Sequence, residues 1–197
     1  MDRPKKIQKN ARYIYMIRRP DDACVSFYHH LSHQSIEDGG YSGSFDDFVH
    51  DFTHAGNMPY GTWSAHIKSW MKCSEDERVL VLSYEDLKKD LKGSVQKVNK
   101  HCGFGLSEDR VEELVPQFTF DWMRKNEGFF HPRSVRWVRK EDEGEDFHFI
   151  RKGQVGDGKK LFSSQHFDQL RFMINQTFPK EGEGLPTFIL PFLDGIL

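Results

Sequence analysis

Two short apolar runs, each followed by the start of a helix, are the feature that most constrains the fold of this chain. Residues 11–17 read ARYIYMI and residues 78–83 read RVLVLS, and such short runs of β-branched, aromatic and aliphatic residues are typical of buried strands. The first run is followed by a proline and two aspartates, and the second by a Tyr-Glu-Asp sequence. Proline suits the first position of a helix, and carboxylates favour its first turn. The alternation predicts an α/β domain, a parallel sheet with flanking helices.

Apolar side chains at helical spacing predict the remaining elements. Residues 127–161 show little periodicity, carry much charge and contain five glycines. A loop of that length inside a compact domain is often functional. The predicted helices lie near residues 23–31, 45–52, 63–70, 95–102, 107–115, 118–125 and 163–174, and residues 179–197 are predicted to form an irregular tail.

Bulk composition indicates one soluble domain. The chain has 197 residues, 37% of them hydrophobic and 29% charged, and a net charge of -2, which gives no global basic field for nucleic acid. No apolar stretch approaches the ~20 residues that a membrane span needs. The three cysteines are odd in number and far apart, which fits a reducing compartment, and the basic N-terminus lacks the apolar core of a signal peptide. We therefore predict a cytoplasmic location.

The loop from Gly153 to Lys159 has the G-x-x-x-x-G-K spacing of a triphosphate-binding loop, but Lys160 stands where Ser or Thr would hold magnesium. Such a loop runs directly from a strand into a helix. Residues 147–150 could form a strand, yet two basic residues intervene, and the next predicted helix cap is only at Ser163. A basic, glycine-rich loop that closes over an anion therefore fits better. A nucleotide kinase that binds ATP with magnesium is the alternative.

Arg18 lies at the carboxyl end of the first predicted strand, where open parallel sheets bind their ligands. The guanidinium of an arginine can donate two parallel hydrogen bonds to a phosphate, and Ser26 could add a hydroxyl donor. A surface arginine and a buried helical serine are the equally open alternative. His66 lies on one face of a predicted helix and could reach a pocket.

A cluster of three histidines invites a metal interpretation. His29 and His33 are four residues apart, and His30 lies between them. No acid or cysteine nearby completes a convincing ligand set. We therefore predict no metal site.

Five motifs in order resemble the cytosolic sulfotransferases. Residues 151–159, RKGQVGDGK, look like the signature loop of that family, which normally has Trp at the position of Gly158. The segments YIYMIRRPDDACVSFYHH, YGTWSAHIKSW, VLVLSYEDLKKDL and FTFDWMRKN resemble its earlier motifs. The resemblance spans residues 11–178 and implies one domain over residues 1–197, with the P-loop nucleoside-triphosphate-hydrolase-like sulfotransferase fold.

The resemblance implies a cofactor and a set of residues that bind it. The cofactor would be 3′-phosphoadenosine 5′-phosphosulfate (PAPS), with adenosine 3′,5′-bisphosphate (PAP) as its product and no metal. His66 matches a position near the acceptor, which would be a small phenol, alcohol or amine. The cofactor residues would be Arg18, Ser26, Arg151, Lys152 and Gly153 for the 3′-phosphate, Tyr84 on the adenine side, and Phe120 against the adenine ring with Phe118, Thr119 and Met123 as neighbours.

Three departures from the family pattern qualify these implications. Phe118 stands where the family usually has Thr, which puts one hydroxyl contact of the family in doubt. The family's dimer stretch corresponds to Lys159–Asp168, which implies a homodimer, but its Val is Ser164 here. The family also begins with a strand and a Tyr-Pro-Lys-Ser-Gly-Thr-Thr-Trp loop that holds the 5′-phosphosulfate, followed by a catalytic histidine, and neither matches a segment of this chain. This matches the observation that two strands are too few for a stable parallel sheet.

The resemblance therefore predicts a sulfotransferase that moves a sulfuryl group from PAPS to a hydroxyl or amine. The catalytic lysine and histidine are expected in a part of the family fold that precedes these residues, so this chain by itself is expected to hold no catalytic residue. A fragment that binds the nucleotide or forms a dimer without catalysis is the alternative.

Overall fold

The computed structural model describes residues 8–56, 58, 60–138, 147–178 and 185–197. Parts of the predicted loop at 127–161 and the start of the predicted tail lie outside the described residues. The elements are β1 (Tyr13–Ile17), α1 (Pro20–Ser32), α2 (Phe45–Thr53), α3 (Trp63–Met71), β2 (Val79–Ser83), α4 (Tyr84–Lys89), α5 (Leu91–Cys102), α6 (Glu108–Leu114), α7 (Phe120–Lys125), α8 (Asp157–Leu161) and α9 (Ser164–Thr177), with short 3-10 turns at Ile36–Asp38, Val115–Phe118, Glu127–Phe129 and Thr187–Phe192.

The two predicted strands pair with each other. β1 and β2 form a two-stranded sheet, and the backbone N–H of Tyr13 donates to the carbonyl of Arg78, 2.7 Å away, where the strands meet. Helices α1 to α3 separate the strands along the chain, as a parallel connection requires. The predicted α/β class with a parallel sheet and flanking helices is confirmed.

The chain divides into two compact units. The first comprises Met1–Val25, Ser44–Val81 and Gly156–Leu197. Its core lies where α9 packs against α2 and against α3 through fully buried side chains. α2 begins at Ser44, whose hydroxyl accepts the N–H of Asp47 while the Asp47 carboxylate accepts the N–H of Ser44, a capping box. The core side chains are Phe48, Val49, Ile67, Leu170, Met173 and Ile174.

The C-terminal tail is more ordered than the sequence predicts. Residues Thr187–Phe192 form a 3-10 helix instead of an irregular segment. Ile189 and Ile196 are fully buried, and the guanidinium of Arg171 donates to the carbonyl of Ile196, 2.8 Å away. The prolines of the tail suggested irregular structure, but burial of its apolar side chains in the first unit stabilises the helix.

The second unit comprises Ser26–Gly43 and Leu82–Val155. It contains α4 to α7, in which α5 packs on both α6 and the following 3-10 turn. The Asn99 side chain holds the turn after α5, since its amide nitrogen donates to the carbonyl of Leu106 and its oxygen accepts the N–H of Leu106. No helix among the described residues is long and apolar enough to cross a membrane.

Candidate functional site

One cavity of the second unit brings together six of the residues predicted to bind the cofactor. The cavity has a volume of about 190 Å³. Three further residues in its wall, Leu87, Lys88 and Leu91, carry no prediction from the sequence. The six predicted residues are Tyr84, Phe118, Thr119, Phe120, Met123 and Gly153.

Two helix caps fix the aromatic side chains of this cavity. Ser83 caps α4, since its hydroxyl accepts the N–H of Asp86 at 2.8 Å, which makes Tyr84 the first residue of the helix. Thr119 caps α7 by accepting the N–H of Trp122 at 3.3 Å, and its own hydroxyl donates to the carbonyl of Pro116 at 2.8 Å. The Thr119 hydroxyl therefore holds the start of α7, and Phe120 follows it directly.

Gly153 lies directly against the ring of Phe120. Its backbone has a φ of +59°, and a Cβ added there would lie 2.2 Å from Cδ2 of Phe120. Both the positive φ and the contact with the ring exclude other residues. The Lys88 ammonium lies 6.0 Å from the centroid of the same ring. Aromatic surface with a cation nearby suits a flat, anionic ligand.

Contacts within the second unit hold the segment that leads into Gly153. The N–H of Ile150 donates to Oε1 of Glu127 at 2.7 Å, and Nδ1 of His148 lies 2.9 Å from Oε2 of the same carboxylate. The guanidinium of Arg124 donates to the carbonyl of Ile150. Residues 147–150 do not form the strand that the sequence suggested. The side chains of Glu127 and Arg124, rather than a neighbouring strand, bond to the backbone N–H and carbonyl of Ile150.

Acid should weaken the anchor that Glu127 provides. Burial alone would raise the pKa of Glu127, but its hydrogen bonds with His148 and the Ile150 N–H lower that pKa overall. A carboxylate with a lowered pKa in the folded state stabilises the fold above its unfolded pKa and loses that contribution as pH falls. We expect Glu127→Gln to remove part of the loss of stability that the protein shows as pH falls from about 5 downwards, because the contribution of Glu127 is lost between its unfolded pKa and its lowered folded pKa. Thermal unfolding measured across this range tests it.

The matched control is Glu113→Gln, which removes an exposed ion pair with Arg110 in the same unit. This control should leave the acid dependence of the melting temperature almost unchanged. An equal acid dependence in the wild type and Glu127→Gln would contradict the assignment.

The remaining predicted phosphate ligands of the second unit are Ser26, Arg151 and Lys152. Ser26 and Arg151 are half-buried and Lys152 is exposed. Ser26 lies in α1, where its carbonyl is 2.7 Å from Nδ1 of His30. Arg151 and Lys152 directly precede Gly153, so the chain carries two cations next to the cavity.

Arg18 and His66 lie in the first unit. Arg18 directly follows β1, and its carbonyl accepts the indole N–H of Trp63 at 3.0 Å. Nδ1 of His66 lies 3.1 Å from the hydroxyl of Tyr15, which is 5% exposed. Burial raises the pKa of Tyr15 well above its ordinary value, so this hydroxyl stays neutral. The acceptor role of His66 remains a prediction.

The far end of the glycine-rich loop is bound to a carboxylate of the first unit. The N–H groups of Gly156 and Gly158 donate to the two oxygens of Asp22, at 2.8 and 2.7 Å. The cap predicted at Ser163 is confirmed, since it begins α9, but the expectation that no helix starts before it is wrong, because the short helix α8 begins at Asp157. A triphosphate loop offers such amides to phosphate. Since Asp22 already occupies these amides, the structure argues against the kinase alternative.

The histidine cluster is held by backbone contacts. Nδ1 of His30 and Nδ1 of His33 each lie 2.7 Å from a carbonyl four residues earlier. Among the residues that the structure describes, no group of three or more His, Cys, Asp or Glu side chains is arranged to hold a metal ion.

Comparison with known proteins identifies the family. The profile of the sulfotransferase domain matches residues 3–181. The 3-alpha-hydroxysteroid sulfotransferase of Cavia porcellus is 33% identical over 163 residues, which cover 81% of this chain and 54% of that protein. The amine sulfotransferase of Oryctolagus cuniculus is 32% identical, with coverage of 85% and 56%. The crystal structure of retinol dehydratase with androsterone and the inactive cofactor PAP has a TM-score of 0.68 and 26% identity, and covers 90% of this chain and 50% of that one.

The chain belongs to the family of the cytosolic sulfotransferases and has the sulfotransferase fold. The resemblance of the five motifs is therefore confirmed at the level of the family. The chain spans about half the length of the curated relatives it matches.

Four residues with defined contacts were not predicted from the sequence. Leu87 lies in α4 and Leu91 is the first residue of α5, so no single helical period connects these two residues of the cavity wall. Lys88 lies between them, and all three belong to the segment VLVLSYEDLKKDL, in which a role was predicted only for Tyr84. Asp22 was interpreted only as an acid in the first turn of α1, and the sequence carries no signal of its contact with Gly156.

Proposed function

We propose that this domain binds PAPS and its product PAP, with the adenine in the cavity of the second unit. One observation carries the proposal. Residues from three motifs that are distant in sequence, represented by Tyr84, Phe120 and Gly153, line one cavity, as binding of one adenine requires. The Phe120 ring supplies a stacking surface, and base stacking on an aromatic ring contributes about 1–3 kcal/mol.

The 3′-phosphate is assigned to Arg18, Ser26, Arg151, Lys152 and Gly153 on the strength of the family motifs. Guanidinium groups bind phosphate through paired charge-assisted hydrogen bonds. A glycine lets its backbone N–H approach a phosphate closely. Arg151 and Lys152 support the assignment because they directly precede a residue of the adenine cavity.

The reaction proposed for the whole protein is transfer of a sulfuryl group from PAPS to a hydroxyl or amine of a small acceptor. The names of two relatives, a hydroxysteroid and an amine sulfotransferase, support these acceptor classes. In such a transfer the donor group passes in line to the nucleophile, so positioning and charge stabilisation supply the rate. The residues assigned above would bind the adenine and the 3′-phosphate of PAPS, away from the sulfuryl group that is transferred. A cytoplasmic location remains a prediction.

A dimer through Lys159–Asp168 is a second part of the proposal. Lys159, Ser164 and Asp168 are exposed, so this surface is accessible to a partner chain. Ser163 caps α9 by accepting the N–H of His166, which supports a structural role for this residue. Sedimentation equilibrium of the wild type tests the proposal, and a monomer at all concentrations would contradict it. A fragment that binds the nucleotide or forms a dimer without catalysis is the alternative function.

Phe120→Ala tests the adenine assignment. We expect this substitution to weaken PAP binding by about 1–3 kcal/mol, a factor of roughly 5 to 150, because the adenine loses its stacking surface. Isothermal titration calorimetry with PAP measures the change, and circular dichroism verifies that the variant is folded.

The matched control is Phe129→Ala. Phe129 is 80% exposed and is not part of the cavity wall. Its removal should change PAP affinity less than about twofold, since surface substitutions away from a site have small effects. If a folded Phe120→Ala variant binds PAP as tightly as Phe129→Ala does, the adenine lies elsewhere.

A further inference from the structure

The carboxylate of Asp22 lies at the start of α1 and holds one end of the glycine-rich loop. Asp22 is 0% exposed, and its two oxygens accept the N–H groups of Gly156 and Gly158 at 2.8 and 2.7 Å. Hydrogen bonds to an ionised acceptor are roughly twice as strong as those between neutral groups. A buried carboxylate with both oxygens engaged is therefore an anchor for the backbone of this loop.

The neighbouring carboxylate has a different partner. Asp21 is equally buried, but its Oδ1 accepts from Nε of Arg19 at 3.2 Å. The guanidinium of Arg19 also donates to the carbonyl of Asp194, so this pair holds the C-terminal tail. The two adjacent acids therefore have different roles. Asp21 holds the C-terminal tail through Arg19, and Asp22 holds the glycine-rich loop.

Backbone packing at Gly158 keeps the loop end close to Asp22. A Cβ added at Gly158 would lie 2.5 Å from Cβ of Asp21 and 2.6 Å from its carbonyl carbon. In this structure a side chain at Gly158, where the family normally has Trp, would require the loop or the first turn of α1 to shift. Gly156 has a φ of +95°, which favours glycine at the start of α8.

We propose that Asp22 is a positioning residue for nucleotide binding. Gly156, which it holds, is only three residues along the chain from Gly153, the glycine assigned to the 3′-phosphate. By fixing Gly156, Asp22 restricts the conformations of the segment from Arg151 to Val155. The loop cations are then preorganised before the nucleotide arrives, which lowers the entropy cost of binding. This inference rests on the proposed function.

The first test needs no substitution. Hydrogen exchange of the wild-type chain, followed residue by residue by NMR, should show the amides of Gly156 and Gly158 protected by about 100-fold or more over their intrinsic rates. Exchange at the intrinsic rate at both glycines would overturn the inference, whether or not the chain binds PAP.

Asp22→Asn is the second test, with Asp21→Asn as its matched control. Asparagine keeps the shape of the side chain but offers only one acceptor oxygen, so one amide loses its partner. We expect Asp22→Asn to raise exchange at the two glycines and to weaken PAP binding about tenfold, as loss of a charged hydrogen bond would. AMP, which lacks the 3′-phosphate, should bind within about twofold of the wild-type affinity.

Asp21→Asn should lower the melting temperature and leave exchange at Gly156 and Gly158 unchanged. If both variants weaken PAP binding equally, or Asp22→Asn changes only the melting temperature, the positioning role is wrong. A wild type that protects both amides but does not bind PAP would instead contradict the proposed function and leave the anchor itself intact.

Discussion

Gly153→Ala should weaken PAP binding by about tenfold or more. The φ of +59° at Gly153 is unfavourable for alanine, and the new Cβ would lie 2.2 Å from the ring of Phe120. Either the ring or the loop must move, and in both cases the adenine cavity changes shape. Titration calorimetry with PAP measures the effect, together with the melting temperature of the variant.

Gly105→Ala is a close control, since it separates the backbone effect from the contact with the ring. Gly105 has a φ of +69° and nothing within 4 Å of an added Cβ. Gly105→Ala should lose about 1–2 kcal/mol of stability but retain the PAP affinity of the wild type. Gly153→Ala should lose at least as much stability and should also bind PAP more weakly. Equal PAP affinities for the two variants would show that Gly153 does not shape the binding site.

Arg151→Ala should weaken PAP binding by about 10- to 100-fold, since a charge-assisted contact with phosphate contributes about 1.5–3 kcal/mol. AMP should bind this variant almost as well as the wild type, because the lost contact is assigned to the 3′-phosphate. Competition of each nucleotide against a fluorescent PAP analogue measures both affinities.

Arg133→Ala is the control for charge alone. Arg133 is an exposed arginine in the same unit and has no assigned role in binding. Its removal should alter PAP affinity less than about threefold at physiological salt, because exposed charges are screened. If Arg151→Ala weakens the binding of PAP and AMP by the same factor, the arginine contacts a part that both nucleotides share and does not bind the 3′-phosphate.

The regular elements were predictable because their signals are local. The apolar runs of β1 and β2 and the helical spacing of α2, α3 and α9 depend on residues close in sequence. The same is true of helix caps. Ser107 was predicted to cap a helix, and its hydroxyl accepts the N–H of Arg110 at 3.2 Å. Such hydrogen bonds span only three residues and leave a readable pattern.

The loop conformation was not predictable because distant side chains determine it. Glu127 binds the N–H of Ile150, 23 residues away, and Asp22 binds the N–H of Gly158, 136 residues away. Neither contact has a sequence period. The five-residue α8 is too short to show helical periodicity, and Gly156 at its start has no capping side chain.

The candidate site was predictable only through the family motifs. They assigned Tyr84, Phe120 and Gly153 to one nucleotide, and the structure places these residues around one cavity. Leu87 was missed, since a leucine in a helix is usually core and a wall residue is recognised only once the fold is known. The assignments of Arg18, Ser26 and His66 remain predictions, because they rest on the motifs alone.

The most direct test of the nucleotide assignment is the preference of the wild-type chain for PAP over AMP. The two ligands share the adenine and the 5′-phosphate and differ in the 3′-phosphate, so their affinity ratio reports the phosphate contact alone. We predict that residues 1–197 bind PAP about tenfold or more tightly than AMP, and that Arg18→Ala reduces this ratio. A folded chain that binds both nucleotides equally, or binds neither, would contradict the account.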